Sequence, residues 1–154
     1  MKKNYSTNDI LSSFHSNKNL NPDEISFYTK EDERKDLEQI SSDIEAYISS
    51  HDTPSSFNEF AREACITPSH LNQFLNGKKH MTKYYLVRIF ITLGYDIDKV
   101  NSLLQRFDGS FLYARNKRDF IIMNGIIDKR SLDDIDSELR SQDLESLCPL
   151  GGPD

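Results

Sequence analysis

The side chains able to ligate a metal or act as nucleophiles are few, and none is spaced for either task. His15, His51, His70 and His80 share no ligand spacing with one another or with Cys65 and Cys148. Cys65 falls at an apolar turn and reads as a small buried hydrophobe. Cys148 lies far along the chain, so two free thiols are expected, with no resolving cysteine near Cys65 for a redox switch. Asp133, Asp134, Asp136 and Glu138 lack the spacing of a calcium loop and read as an exposed acidic helix. No Ser or Cys has a base and an orienting partner in its sequence context, and no glycine-rich loop could cradle a phosphate. No enzyme activity, cofactor or metal is expected. What remains is charge, and it is segregated. Residues 1–56 carry 6 Lys/Arg against 11 Asp/Glu, residues 57–118 carry 10 against 5, and residues 119–154 carry 3 against 9. A basic centre between acidic flanks points to one face made for a polyanion.

The elements that must position such a face are helical. The chain has 154 residues, a net charge of −6 and 36% hydrophobic residues, enough for a modest core with solvated tails. No apolar run approaches the roughly 18 residues that span a bilayer. Met1-Lys2-Lys3-Asn4-Tyr5 leads into polar sequence, so neither a membrane span nor a secretion signal is expected, and the expected compartment is the cytoplasm. In the N-terminal stretch, Ile10, Leu11 and Phe14 could form one amphipathic turn, and Asn21-Pro22 reads as a helix start. Leu37, Ile40, Ile44, Tyr47 and Ile48 predict a helix from Thr29 to Ser50. Shorter helices follow over Phe57–Cys65, Thr67–Asn76, Lys83–Leu93 and Ile97–Asp108, with Gly77, Gly94 and Asp108-Gly109 as stops. Asn116 caps another, with Asp119 as its expected capping partner, and Asp133–Ser141 makes the last. Nothing alternates with period two for long enough to make a sheet, so the fold class is all-α. Tyr85-Leu86-Val87 and Phe120-Ile121-Ile122, Val100 and Ile135, and Leu104 and Leu139 all match at an offset of 35 residues, which suggests a helix pair occurring twice.

The segment Phe57-Asn58-Glu59-Phe60-Ala61-Arg62-Glu63-Ala64-Cys65-Ile66-Thr67-Pro68-Ser69-His70-Leu71-Asn72-Gln73-Phe74-Leu75-Asn76-Gly77-Lys78 holds two short helices around a tight turn. Such helices cross steeply, which requires the small Ala61 in the first and apolar Ile66, Leu71 and Phe74 against the second. Here the chain resembles the Xre/Cro, lambda-repressor-like helix-turn-helix family over roughly residues 34–107. Cys65 stands where that family usually has glycine, Phe57 stands at a position often polar, and the second helix carries no Arg or Lys. The resemblance implies that Pro68–Asn76 enters the major groove of duplex DNA. It leaves Ser69, His70, Asn72, Gln73 and Asn76 facing out, with Ser69 and Gln73 at positions that commonly read bases and Gln73 suited to adenine, and it places Thr67, Lys78 and Lys79 on phosphates. His70 and His80 flank this helix as surface or phosphate-facing residues. Lys83, Arg88 and Arg115-Asn116-Lys117-Arg118 could extend the basic surface.

The implied organisation is a flexible segment 1–30, a helix-turn-helix domain 31–112, a helical extension 113–148 and a disordered tail 149–154. The implied function is sequence-specific transcriptional regulation, with repression as the default. Such units usually bind as homodimers. Two apolar stripes read more often as intramolecular core but are also the candidate dimer surfaces, and one of them is Leu37/Ile40/Ile44/Tyr47. The other, favoured, is the C-terminal stripe of Ile126, Leu132, Ile135, Leu139, Leu144 and Leu147. The acidic C-terminal region also offers a place for a protein partner. The alternative function is a helical adaptor or inhibitor that turns the same fold to a protein partner.

Overall fold

A computed structural model describes residues 27–149. The expected amphipathic turn at Ile10–Phe14, the start at Asn21-Pro22, most of the segment 1–30 and the tail from Leu150 lie outside the described residues. Among the described residues the chain is all-helical: α1 (Lys30–Ser50), α2 (Phe57–Glu63), α3 (Pro68–Leu75), α4 (Lys83–Leu93), α5 (Ile97–Asp108), α6 (Lys117–Ile127) and α7 (Leu132–Ser141). No helix there is long and apolar enough to cross a membrane.

Local sequence sets most of these boundaries. Thr29 caps α1 by accepting from the Asp32 N–H at 3.1 Å, and the Asp32 carboxylate accepts from the Thr29 N–H at 3.0 Å, closing a capping box. Ser56, Thr67, Asp96, Asn116 and Ser131 cap α2, α3, α5, α6 and α7 with side-chain oxygens. Gly94 and Gly109 end α4 and α5 in the left-handed conformation. α2 stops two residues before Cys65 because Cys65 itself takes a left-handed φ of 59°.

One apolar core runs through all seven helices. Leu37, Ile40 and Ile44 of α1 are buried in it with Phe60, Leu71, Phe74, Leu86, Ile89 and Phe90. Ile126, Leu132, Ile135, Leu139 and Leu147 are buried in the same core, and Leu144 packs against it. Both candidate dimer stripes are therefore intramolecular core, the commoner reading of such periodicity, apart from the partly exposed Tyr47. The pairs α4/α5 and α6/α7 follow the offset of 35 residues: Gly94 and Lys129 both take left-handed φ after the first helix of their pair, and Val100 and Ile135 are both fully buried. At Gly125, α6 and α7 approach closely, since a Cβ there would overlap Ile135 Cγ1 and Cδ1.

Candidate nucleic-acid interface

The turn between α2 and α3 is built from small residues and a buried cation. Ala61 and Ala64 are fully buried, which lets α3 approach α2 closely. The Ile66 N–H donates to the Ala61 carbonyl at 2.9 Å, and Arg88 Nη1 of α4 donates to the Cys65 carbonyl at 3.0 Å. The Arg88 guanidinium also stacks over the Tyr85 ring at 4.6 Å. Phe57, at the start of α2, is half-buried against the core.

α3 presents a polar row from this frame. Leu71 and Phe74 face the core, whereas Ser69, Asn72 and Asn76 are exposed and Gln73 is half-buried. Gln73 Nε2 donates to Ser69 Oγ at 3.1 Å, and Asn76 Nδ2 to Asn72 Oδ1 at 3.4 Å. These are single solvent-facing bonds between residues one turn apart, weak enough to exchange for a ligand's donors and acceptors. Thr67 Oγ1 accepts from the His70 N–H at 3.2 Å, so its hydroxyl proton stays available. The His70 ring lies edge-on to Tyr85, with centroids 4.9 Å apart, and is therefore more involved in packing than Ser69, Asn72 and Gln73. Past α3, the Lys78 and Lys79 N–H groups both donate to the Gln73 carbonyl at 2.8 and 3.2 Å. Their ammonium groups are exposed and have no ion pair among the described residues.

The wider basic surface is smaller than composition suggests, because acids from the flanking segments fold onto it. Lys99 pairs with Asp43 at 3.7 Å, Arg106 with Asp36 at 3.2 Å, Lys83 with Asp119 at 2.6 Å and Arg118 with Glu145 at 3.6 Å. Arg118 also donates to the Glu145 and Ser146 carbonyls at 2.9 Å each and covers the Tyr84 ring. Lys83, Arg88 and Arg118 thus do not extend the surface as expected, whereas Arg115 and Lys117 stay exposed. His80 Nε2 contacts Asp108 Oδ1 at 3.1 Å, and no cluster among the described residues could hold a metal.

Compared with known proteins, the chain matches no family model, no curated protein and no solved structure.

Four residues work differently from the sequence-based expectation. Cys65 and Cys148 are not free thiols: they form a disulfide, with Cα atoms 5.6 Å apart, that ties the C-terminal segment to the α2–α3 turn. Asp136 is not part of an exposed acidic face. It is buried, and its carboxylate accepts from the Leu147 and Cys148 N–H groups at 2.5 and 3.1 Å and from Arg140 at 2.9 Å. Asp119 does not close a capping box with Asn116. Its buried carboxylate accepts from Lys83 Nζ at 2.6 Å, from the Tyr84 hydroxyl at 2.8 Å and from the Tyr113 N–H at 3.0 Å. Burial, and then this bond to Asp119, push the Tyr84 phenol above its ordinary pKa. In each case at least one partner lies six or more positions away in sequence, beyond any local motif.

Proposed function

We propose that the protein is a sequence-specific duplex DNA-binding regulator of helix-turn-helix type, with α3 lying in the major groove. The observation that carries this reading is the polar row of exposed Ser69 and Asn72 with half-buried Gln73 on a capped eight-residue helix, followed by the exposed cations Lys78 and Lys79. Amide and hydroxyl groups at that spacing suit base edges, and the two lysines suit the flanking phosphates. Repression by occluding a promoter and action as a homodimer on paired half-sites are parts of the same proposal, as is a cytoplasmic setting, in which the Cys65–Cys148 bridge would have to resist reduction. A second reading, a protein-binding adaptor, draws on Phe120 and Ile127, which are exposed on one face of α6 at 49% and 57%.

Selection of bound duplexes from a random library at about physiological salt separates the two, because that ionic strength suppresses purely electrostatic binding. Enrichment of one site is expected. Gln73→Ala should relax preference at one position by roughly 1–3 kcal/mol, and Lys78→Glu with Lys79→Glu should weaken binding to every sequence. Absence of any enriched site, with these variants indistinguishable from the parent, would sink the regulator reading in favour of the adaptor.

A further inference from the structure

The loop between α5 and α6 carries two features that play no part in the α3 surface. Phe111 and Tyr113 are 49% and 48% exposed, with their rings edge-to-face 5.9 Å apart. Arg115 and Lys117 follow, exposed and with no ion pair among the described residues. Leu112, between the two rings, is buried and donates its N–H to Asn101 Oδ1 at 2.9 Å. The loop is therefore anchored, and its rings point outward from a fixed base.

Two ties set this loop beside the end of α3. Asp119 accepts from the Tyr113 N–H with the same oxygen that holds Lys83 Nζ, so the loop sits against the first turn of α4. His80, directly after Lys79, contacts Asp108 at the end of α5, three residues before Phe111. Lys78, Lys79, Arg115 and Lys117 therefore share one end of the bundle. Lys83 neutralises Asp119, so against the Asp108 carboxylate the four unpaired cations still leave this end with a net positive charge.

We infer that the loop Ser110–Lys117 is a second contact to the duplex that α3 reads, with Arg115 and Lys117 on phosphates flanking the major-groove segment and Phe111 and Tyr113 against the adjoining minor groove. This role for the loop rests on the reading of α3 as a duplex-binding helix. Charge complementarity selects the occupant: a polyanion takes four unpaired cations, and duplex DNA also offers sugar and base edges to an apolar wedge. The loop would supply affinity and register that α3, which has no cation of its own, lacks.

The test measures binding of a labelled mixed-sequence duplex of about three helical turns by fluorescence anisotropy, at several salt concentrations between about 50 and 200 mM. Arg115→Gln with Lys117→Gln should lower the slope of log affinity against log salt by about 0.9 for each phosphate no longer neutralised. Phe111→Ser with Tyr113→Ser should weaken binding several-fold at every salt concentration with the slope unchanged. Lys35→Gln, on exposed α1 surface, serves as the control for loss of a remote charge. Circular dichroism melts confirm that each variant folds. Loop variants that bind like the parent while Lys78→Gln with Lys79→Gln fails would overturn the loop contact and leave α3 standing. If the loop variants weaken binding while the lysine and Gln73→Ala variants do not, the loop is a DNA contact and the reading of α3 is wrong. No duplex binding at the lowest salt overturns both. Self-association of the parent that is lost in the ring variant also overturns the inference, because the rings then belong to a second copy.

Discussion

Asp119 begins α6 with a task that its position conceals. Three residues after the cap Asn116, it sits where a capping-box carboxylate belongs, yet it is turned inward to the start of α4. The buried carboxylate is tolerated because it accepts from an ammonium, a phenol and a backbone N–H at once. Removing it would leave Lys83 and Tyr84 without their partner and release the loop that carries Tyr113. Asp119→Ala is expected to cost roughly 3–5 kcal/mol in urea unfolding, as for a broken buried pair. Asp119→Asn, which keeps the shape without the charge, should cost less. A loss below about 0.5 kcal/mol, the range of ordinary surface substitutions, would show that the carboxylate does not hold the loop.

Among elements, the tightest constraint lies between α6 and α7. The pairs α4/α5 and α6/α7 have similar lengths and a left-handed residue after their first helix, but Gly125 stands where α4 has Phe90. The glycine removes a side chain so that Ile135 can fill the space, and any Cβ would overlap it. Gly125→Ala raises helix propensity yet is expected to destabilise by about 1–3 kcal/mol through overpacking. A shift of the thermal midpoint to higher temperature would instead show that α6 can slide away from α7 without loss. The helices themselves were largely legible in the sequence. Apolar residues recur at three and four, and Thr29, Asn116, Gly94 and Gly109 mark ends by local chemistry alone. Which stripes face the chain's own core and which face outward was not legible. The stripe Ile126–Leu147 has the same periodicity whether it meets its own chain or a second copy.

At the scale of the whole molecule, the charge blocks of the sequence are rearranged by folding. Asp36 and Asp43 from the N-terminal side, and Asp119 and Glu145 from the C-terminal side, reach four of the central cations. Each of the exposed pairs adds little stability, but together the four leave Arg62, Lys78, Lys79, Arg115 and Lys117 as the exposed cations of the central block with no ion pair among the described residues. The C-terminal segment is then fixed by Leu147, by the Asp136 carboxylate and by the Cys65–Cys148 bridge, which closes a loop of 83 residues. A cross-link of that span is expected to contribute about 2–4 kcal/mol, chiefly by restricting the unfolded chain. Cys148→Ala, or reduction with a dithiol, should lower the unfolding midpoint accordingly. Two reactive thiols in the denatured, unreduced protein would show that the bridge does not form.

The sequence by itself determined the helical class, the positions of the helix ends and the polar composition of α3, because periodicity, capping and propensity act within a few residues. The tertiary structure alone decided that Cys65 meets Cys148, that Asp119 and Asp136 are buried clamps rather than caps or solvated charges, and that both apolar stripes are core. Each of those outcomes depends on which distant segments come to lie side by side. Desolvation and the pairing of buried polar groups set that choice, and they act on spatial neighbours that no local pattern reveals.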